Sequence, residues 1–179
     1  MRFKFRKDES IQAILYILEK FSGKTEVCRI CKTLYYADQL HLSRYARTIT
    51  GDTYIATQQG VVPSNIGSAL NIILCNNKFA DDDFKEHFDL CNDDYLQALH
   101  STDTNYLSES DVECLNSSIY RCKDMAINEL TKLPQDITYN EAIIDKEISY
   151  KEILSEIGEN EDYIEYLHQK MLMENETFT

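Results

Sequence analysis

The side chains able to carry chemistry crowd into one segment: Tyr36, Asp38, His41, Arg44, Asp52 and Tyr54. Asp38 and His41 stand three apart and Tyr45 four further on, so on a helix the three share a face with Leu34. A carboxylate that orients an imidazole is half of a catalytic arrangement. The other half is missing, because no Gly-x-Ser-x-Gly elbow occurs and none of the six cysteines has a recognisable partner. The same residues suit a structural duty, satisfying buried amides where a long helix turns into a hairpin. The structural role ranks first, contact with a partner protein second and catalysis last.

Other constellations are weaker. Cys28 and Cys31 have the C-x-x-C spacing of zinc and redox sites, but no second such pair and no H-x-x-x-H completes a four-ligand set. Both lie inside a helical pattern, where a free cysteine behaves as a small buried hydrophobe. No Gly-rich phosphate loop, H-E-x-x-H or EF-hand pattern occurs, and Asp81-Asp82-Asp83 reads as a solvated loop before it reads as a cation site. No cofactor is expected.

The elements that must position these residues follow from periodicity. Ile11, Ile14, Leu15, Leu18 and Phe21 mark one face of a helix that Gly23 can end. Thr25 can cap a second helix, in which Val27, Ile30, Leu34 and Ala37 continue the stripe to about Tyr45. Thr53–Thr57 alternates like a half-buried strand and turns through Gln58-Gln59-Gly60 into Val61-Val62, a small hairpin. Pro63 stops it, and Ser64 can cap a helix carrying Ile66, Ala69, Leu70, Ile73 and Leu74. Residues 76–94 form an acidic surface excursion tethered by Phe79, Phe84 and Phe88, and 95–99 is a candidate extra strand for the hairpin. Ser108/Asp111, Thr138/Glu141 and Ser149/Glu152 have capping-box spacing, giving helices near 109–123, 138–145 and 150–157. Further helices are expected at 125–132 and 161–173, with a frayed tail. The expected fold is mainly α (α+β), a helical bundle with a small two- to three-stranded antiparallel sheet.

At 179 residues the chain is expected to form one domain. The size of the chain and the lack of a recognisable leader or membrane-length apolar run point to the cytoplasm, where the six cysteines are expected to be free thiols. Residues 1–50 carry a net charge of +5 and residues 51–179 one of −18. Phosphate backbones attract basic surfaces, so nucleic acid is not the favoured ligand, although the basic first part keeps a DNA-binding autoregulator as the alternative. The acidic remainder suits a basic protein partner.

In order along the chain, "RICKTLYYAD" (29–38), "HL" (41–42), "ITGDTYIA" (49–56), "GVVPS" (60–64) and "LSESD" (107–111) resemble the succession of motifs in the Panacea domain. That family is associated with prophages and toxin–antitoxin loci and includes a proteolysis-adaptor antitoxin. The resemblance covers about residues 8–157, leaving 158–179 as a C-terminal helix and tail. It implies a helical domain with a small sheet that neutralises a toxin encoded nearby by direct binding, in at least one member by handing the toxin to a protease. It does not imply an enzyme, and a homodimer is compatible with it. Val61 stands where the family pattern has proline, Thr131-Lys132 replaces a common Ser/Thr-His, and Thr138-Tyr139 stands near a common Ala-Trp.

Overall fold

The computed structural model describes residues 3–57, 60–70, 79–91, 94–132 and 146–176, with side chains to residue 170. Its framework is set by one helix buried on nearly all sides. Helix α1 (Lys7–Lys20) is followed by strand β1 (Lys24–Glu26) and helix α2 (Val27–Tyr45). Fourteen α2 residues are buried, among them Arg29, Lys32, Asp38, Gln39 and His41. A helix this enclosed cannot have a polar face, so each of those polar groups needs a partner inside the fold.

One face of α2 meets α1 and α5 (Glu109–Cys122) around Ile14, Leu18, Ile30, Leu34, Leu115 and Ile119. Its other face packs Tyr35, Tyr36 and Leu42 against Tyr54, Ile148, Tyr150, Leu154 and Leu167. Strand β2 (Tyr54–Thr57) pairs antiparallel with β3 (Gly60–Pro63), as the sequence suggests, in register Ile55–Val62 and Ala56–Val61.

The sheet content exceeds the expectation, because the strands divide into two three-stranded antiparallel sheets. The hairpin gains its third strand from β6 (Glu147–Ile148), giving the order β3-β2-β6. Strand β5 (Tyr95–Ala98) does not join it. It lies between β1 and β4 (Phe88–Cys91) in the second sheet, where Leu96 faces the α1–α2 core.

Two cap assignments are corrected. Thr25 sits inside β1, and Glu26 occupies the N-cap of α2 without a side-chain cap bond. Pro63, not Ser64, occupies the N-cap of α3 (Ser64–Ala69), and a side chain from another segment supplies the missing acceptor. The capping boxes at Ser108/Asp111 and at Ser149/Glu152, which starts α7 (Tyr150–Glu156), are formed as expected. That at Thr138/Glu141, with its helix, lies outside the described residues.

The acidic segment is less peripheral than its charge suggests. Helix α4 (Asp82–His87) and β4 place Phe84 and Phe88 fully inside the core, with Phe79 against its edge, while Lys7 pairs with Asp81 and Asp83. Helix α6 is confined to Ile127–Leu130 and α8 spans Glu161–Glu176. No described helix is long and apolar enough to cross a membrane.

Candidate functional site

The six residues singled out from sequence separate into three places. Asp38, Asp52 and Tyr54 form the first, at the joint between α2 and the hairpin. Asp38 is buried, and its Oδ1 accepts the backbone N–H groups of Ile49 (2.6 Å) and Thr50 (3.1 Å). Its Oδ2 accepts the Tyr54 hydroxyl at 2.8 Å and the Thr50 hydroxyl. The Thr50 oxygen in turn accepts the N–H of Asp52 (3.1 Å).

Asp52 provides the cap that α3 lacks locally. Its carboxylate takes the N–H groups of Asn65 and Ile66, both at 2.9 Å, together with the Asn65 amide (2.8 Å) and the Thr53 N–H (2.8 Å). Burial pushes both carboxyls upward from their ordinary value, while the hydrogen bonds pull them back. The Tyr150 hydroxyl donates to the Asp52 carbonyl, tying α7 to the same joint.

An N-terminal strap crosses this turn. Gly51 has φ +66°, and a Cβ there would lie 2.0 Å from the Lys4 carbonyl oxygen. The Arg6 N–H donates to the Thr50 carbonyl (2.8 Å), and the Phe3 ring meets Tyr150 edge-on at 4.9 Å. Glycine is therefore required twice at this position, by its left-handed backbone and by the close passage of another chain segment.

His41 and Arg44 belong to a second network, facing α5. The expected Asp38–His41 pairing does not occur; the carboxylate at His41 is Asp111. The His41 Nδ1–H donates to the Arg47 carbonyl (2.8 Å), since a carbonyl oxygen can only accept. His41 Nε2 lies 3.0 Å from both the Ser110 hydroxyl and Asp111 Oδ1. Arg47 also reaches Asp111 Oδ1 at 3.0 Å, with neither contact aligned as a hydrogen bond, while the Ser108 hydroxyl and N–H donate to Oδ2 (2.7 and 2.8 Å). Burial works to raise the Asp111 carboxyl, but His41, Ser108 and Arg47 together hold it far below the usual carboxylate range. Arg44 is exposed and pairs with Glu113 at 2.6 Å, where the Tyr45 hydroxyl also donates (2.7 Å).

The Ser110–His41 contact supplies a hydroxyl that the sequence did not reveal, but its geometry is wrong for acyl transfer. In a serine hydrolase the carboxylate holds the Nδ1–H and leaves Nε2 free to take the serine proton. Here a carbonyl holds Nδ1–H and the carboxylate crowds Nε2 beside the serine, so Nε2 is not left free to take the serine proton. The imidazole is also fully buried.

Tyr36 lies in a third place, with Lys32 and Arg121 beside it. Burial pushes the Cys28 and Cys31 thiols upward, opposite to the shift a redox or metal-binding thiol requires. Among the described residues no group of three His, Cys, Asp or Glu side chains is placed to hold a metal. A cleft of about 620 Å³ is lined by Ser149, Lys151 and residues of α8 from Glu161 to His168, none of them among the six residues.

The joint and the His41 network lie within residues 30–141, which match the family model "Antitoxin SocA-like, Panacea domain". The chain belongs to this family. No curated protein and no solved structure matches it. In this Panacea domain the I-T-G-D motif builds the buried turn at Asp38, the P-S motif begins the helix that Asp52 caps, and L-S-E-S-D carries the acid that meets His41. Val61, where the family pattern has proline, is buried in β3 opposite Ala56. Lys132, at the position of the common histidine, contributes its carbonyl oxygen to Lys32 (3.1 Å). The family match supports an antitoxin-type role with a protein partner.

Proposed function

We propose that this chain neutralises a protein toxin encoded beside it by direct binding in the bacterial cytoplasm. The observation that carries the reading is the motif succession of an antitoxin family, with its polar residues absorbed into the fold. Asp38, His41, Asp52 and Tyr54 are all buried and bonded to the chain itself, which suits a rigid binding scaffold better than an enzyme. Transfer of the toxin to a protease is a compatible outcome of the same binding.

The DNA-binding alternative draws on the basic first fifty residues, but much of that charge is engaged internally. Arg29 donates to the carbonyl of Cys122 (2.5 Å), Lys32 is buried, Arg44 and Arg47 pair with Glu113 and Asp111, and Lys7 pairs with Asp81 and Asp83. Half of the ten Lys and Arg side chains of this part are thus engaged within the fold, which leaves exposed Lys4, Lys20 and Lys24 as a sparse footing for phosphates.

Co-expression with the product of the neighbouring open reading frame tests the proposal. Rescue of growth and co-purification of the two proteins are expected, with a shortened toxin half-life if a protease takes part. Growth arrest without a complex refutes neutralisation, and salt-sensitive retention on promoter DNA would replace it with autoregulation.

A further inference from the structure

Lys32 has an environment that the joint does not explain. It is 2% exposed, and among the described residues its only hydrogen-bond acceptor is the Lys132 carbonyl oxygen, at 3.1 Å. An ammonium group has three N–H donors, so two find no acceptor among the described residues. The other groups near it are the rings of Tyr35 and Tyr36, 5.5 and 5.0 Å from Nζ, Glu156 of α7, and Cys122 and Arg121 of α5. Glu156 takes the Tyr35 hydroxyl, and no carboxylate of the described residues reaches ion-pair distance of Nζ. Arg121, exposed at the end of α5, lays its guanidinium on the Tyr36 ring at 3.6 Å. Stacking uses the face of a guanidinium and leaves its in-plane N–H donors available for a carboxylate.

A buried cation with no carboxylate of the described residues at ion-pair distance is costly to keep, and burial presses the Lys32 amine down to about 8 although the charge of Glu156 works the other way. An anion arriving from outside would relieve that cost. We propose that Lys32, Tyr36 and Arg121 form a receptor for one carboxylate side chain, an aspartate or glutamate of the bound toxin. The inference rests on the antitoxin reading for its occupant. Arg121 serves as the outer contact, its stacked guanidinium preset for two-point pairing, and Lys32 as the inner one. The recognised toxin surface would then carry an acidic residue, although most of this chain's own surface is acidic. A lone matching charge at such a site would fix the register of the complex.

Two measurements test it. The free protein, labelled for side-chain NMR, is titrated with sodium acetate against sodium chloride at equal ionic strength. Saturable shifts of the Lys32 and Arg121 side-chain signals in acetate alone are expected, with the Lys32 titration midpoint moving up and the effect lost in Lys32→Met; identical responses to the two salts overturn the receptor. In parallel, the affinity of the co-purified toxin is measured for wild type, Lys32→Met and the surface variant Arg121→Gln. Each variant should bind about tenfold more weakly, the usual order for losing a charged hydrogen bond. Wild-type affinity in both folded variants overturns the assignment. If the wild type itself binds no neighbouring product, the antitoxin reading falls, and the acetate titration alone decides the receptor.

Discussion

Substitution of Gly51 by alanine tests the link between the N-terminal strap and the motif turn. The new Cβ would sit 2.0 Å from the Lys4 carbonyl oxygen and 3.3 Å from the Phe5 Cα, so the strap must move. The left-handed backbone adds a strain of about 1 kcal/mol for a residue with a Cβ. Displacing the strap endangers the Arg6–Thr50 backbone bond, the Phe3–Tyr150 ring contact and the packing of Phe5, together about 2 kcal/mol. Gly51→Ala should therefore cost about 3 kcal/mol, and removal of residues 1–5 alone about 2 kcal/mol. The two changes should not add. Once Lys4 and Phe5 are gone, only the backbone strain remains, so the double variant should lose about 3 kcal/mol and not about 5 kcal/mol. Urea unfolding of all four proteins measures the cycle. Additive losses would refute the steric account, because they would show that alanine at this position does not act through the strap.

Two further outcomes concern buried carboxylates. Asp38→Ala strands the Ile49 and Thr50 N–H groups and the Tyr54 hydroxyl, for a loss of about 4 kcal/mol, whereas Asp38→Asn keeps an acceptor for the two amides and should lose about half as much, read from urea midpoints. For Asp111, whose folded carboxyl is held below its unfolded value, the unfolded chain binds the proton more readily; the stabilisation is present above about pH 4 and disappears as pH falls further. The stability gap between wild type and Asp111→Asn should accordingly be flat from about pH 5 to 8 and shrink below about pH 4. A gap that widens in acid would contradict the pairing of Asp111 with His41 and Arg47.

The parts of the fold legible in the sequence are those written locally. Helix α2, the Ser108 and Ser149 capping boxes and the β2–β3 hairpin each depend on residues a few positions apart, and each appears where its spacing places it. The six candidate residues were legible as one polar segment but not as a set of contacts, and the fold sends them to three places. Asp38 and His41 share helical spacing, yet Asp38 turns to the amides that follow α2 and His41 to α5, with Ser110 69 residues away. Local periodicity holds no information on which distant carboxylate will meet an imidazole. The cap of α3 was hidden for a similar reason. Ser64 has the right chemistry in the right place, but Asp52 reaches the Asn65 and Ile66 N–H groups first from the preceding turn. Strands β1 and β6 are three and two residues long, too short for alternation to register, and exist because longer strands offer them an edge.

The burial of the motif also separates two ways in which an antitoxin can lose activity. Asp38, Asp52 and Tyr54 cannot touch a partner while the domain is folded, since their polar atoms are enclosed and bonded to the chain. Damage at these positions must act through the fraction of molecules that are folded, a quantity that shifts several-fold in cells for one or two kcal/mol. Damage at an exposed residue of the proposed receptor, such as Arg121, should instead act on affinity at constant folded fraction. Asp38→Asn should therefore regain full neutralisation when its expression is raised or the temperature lowered, and each folded molecule should bind toxin as wild type does. A folded Asp38→Asn protein with weakened affinity would mean that the joint transmits its shape to the binding surface, so that the motif both holds the fold and sets recognition.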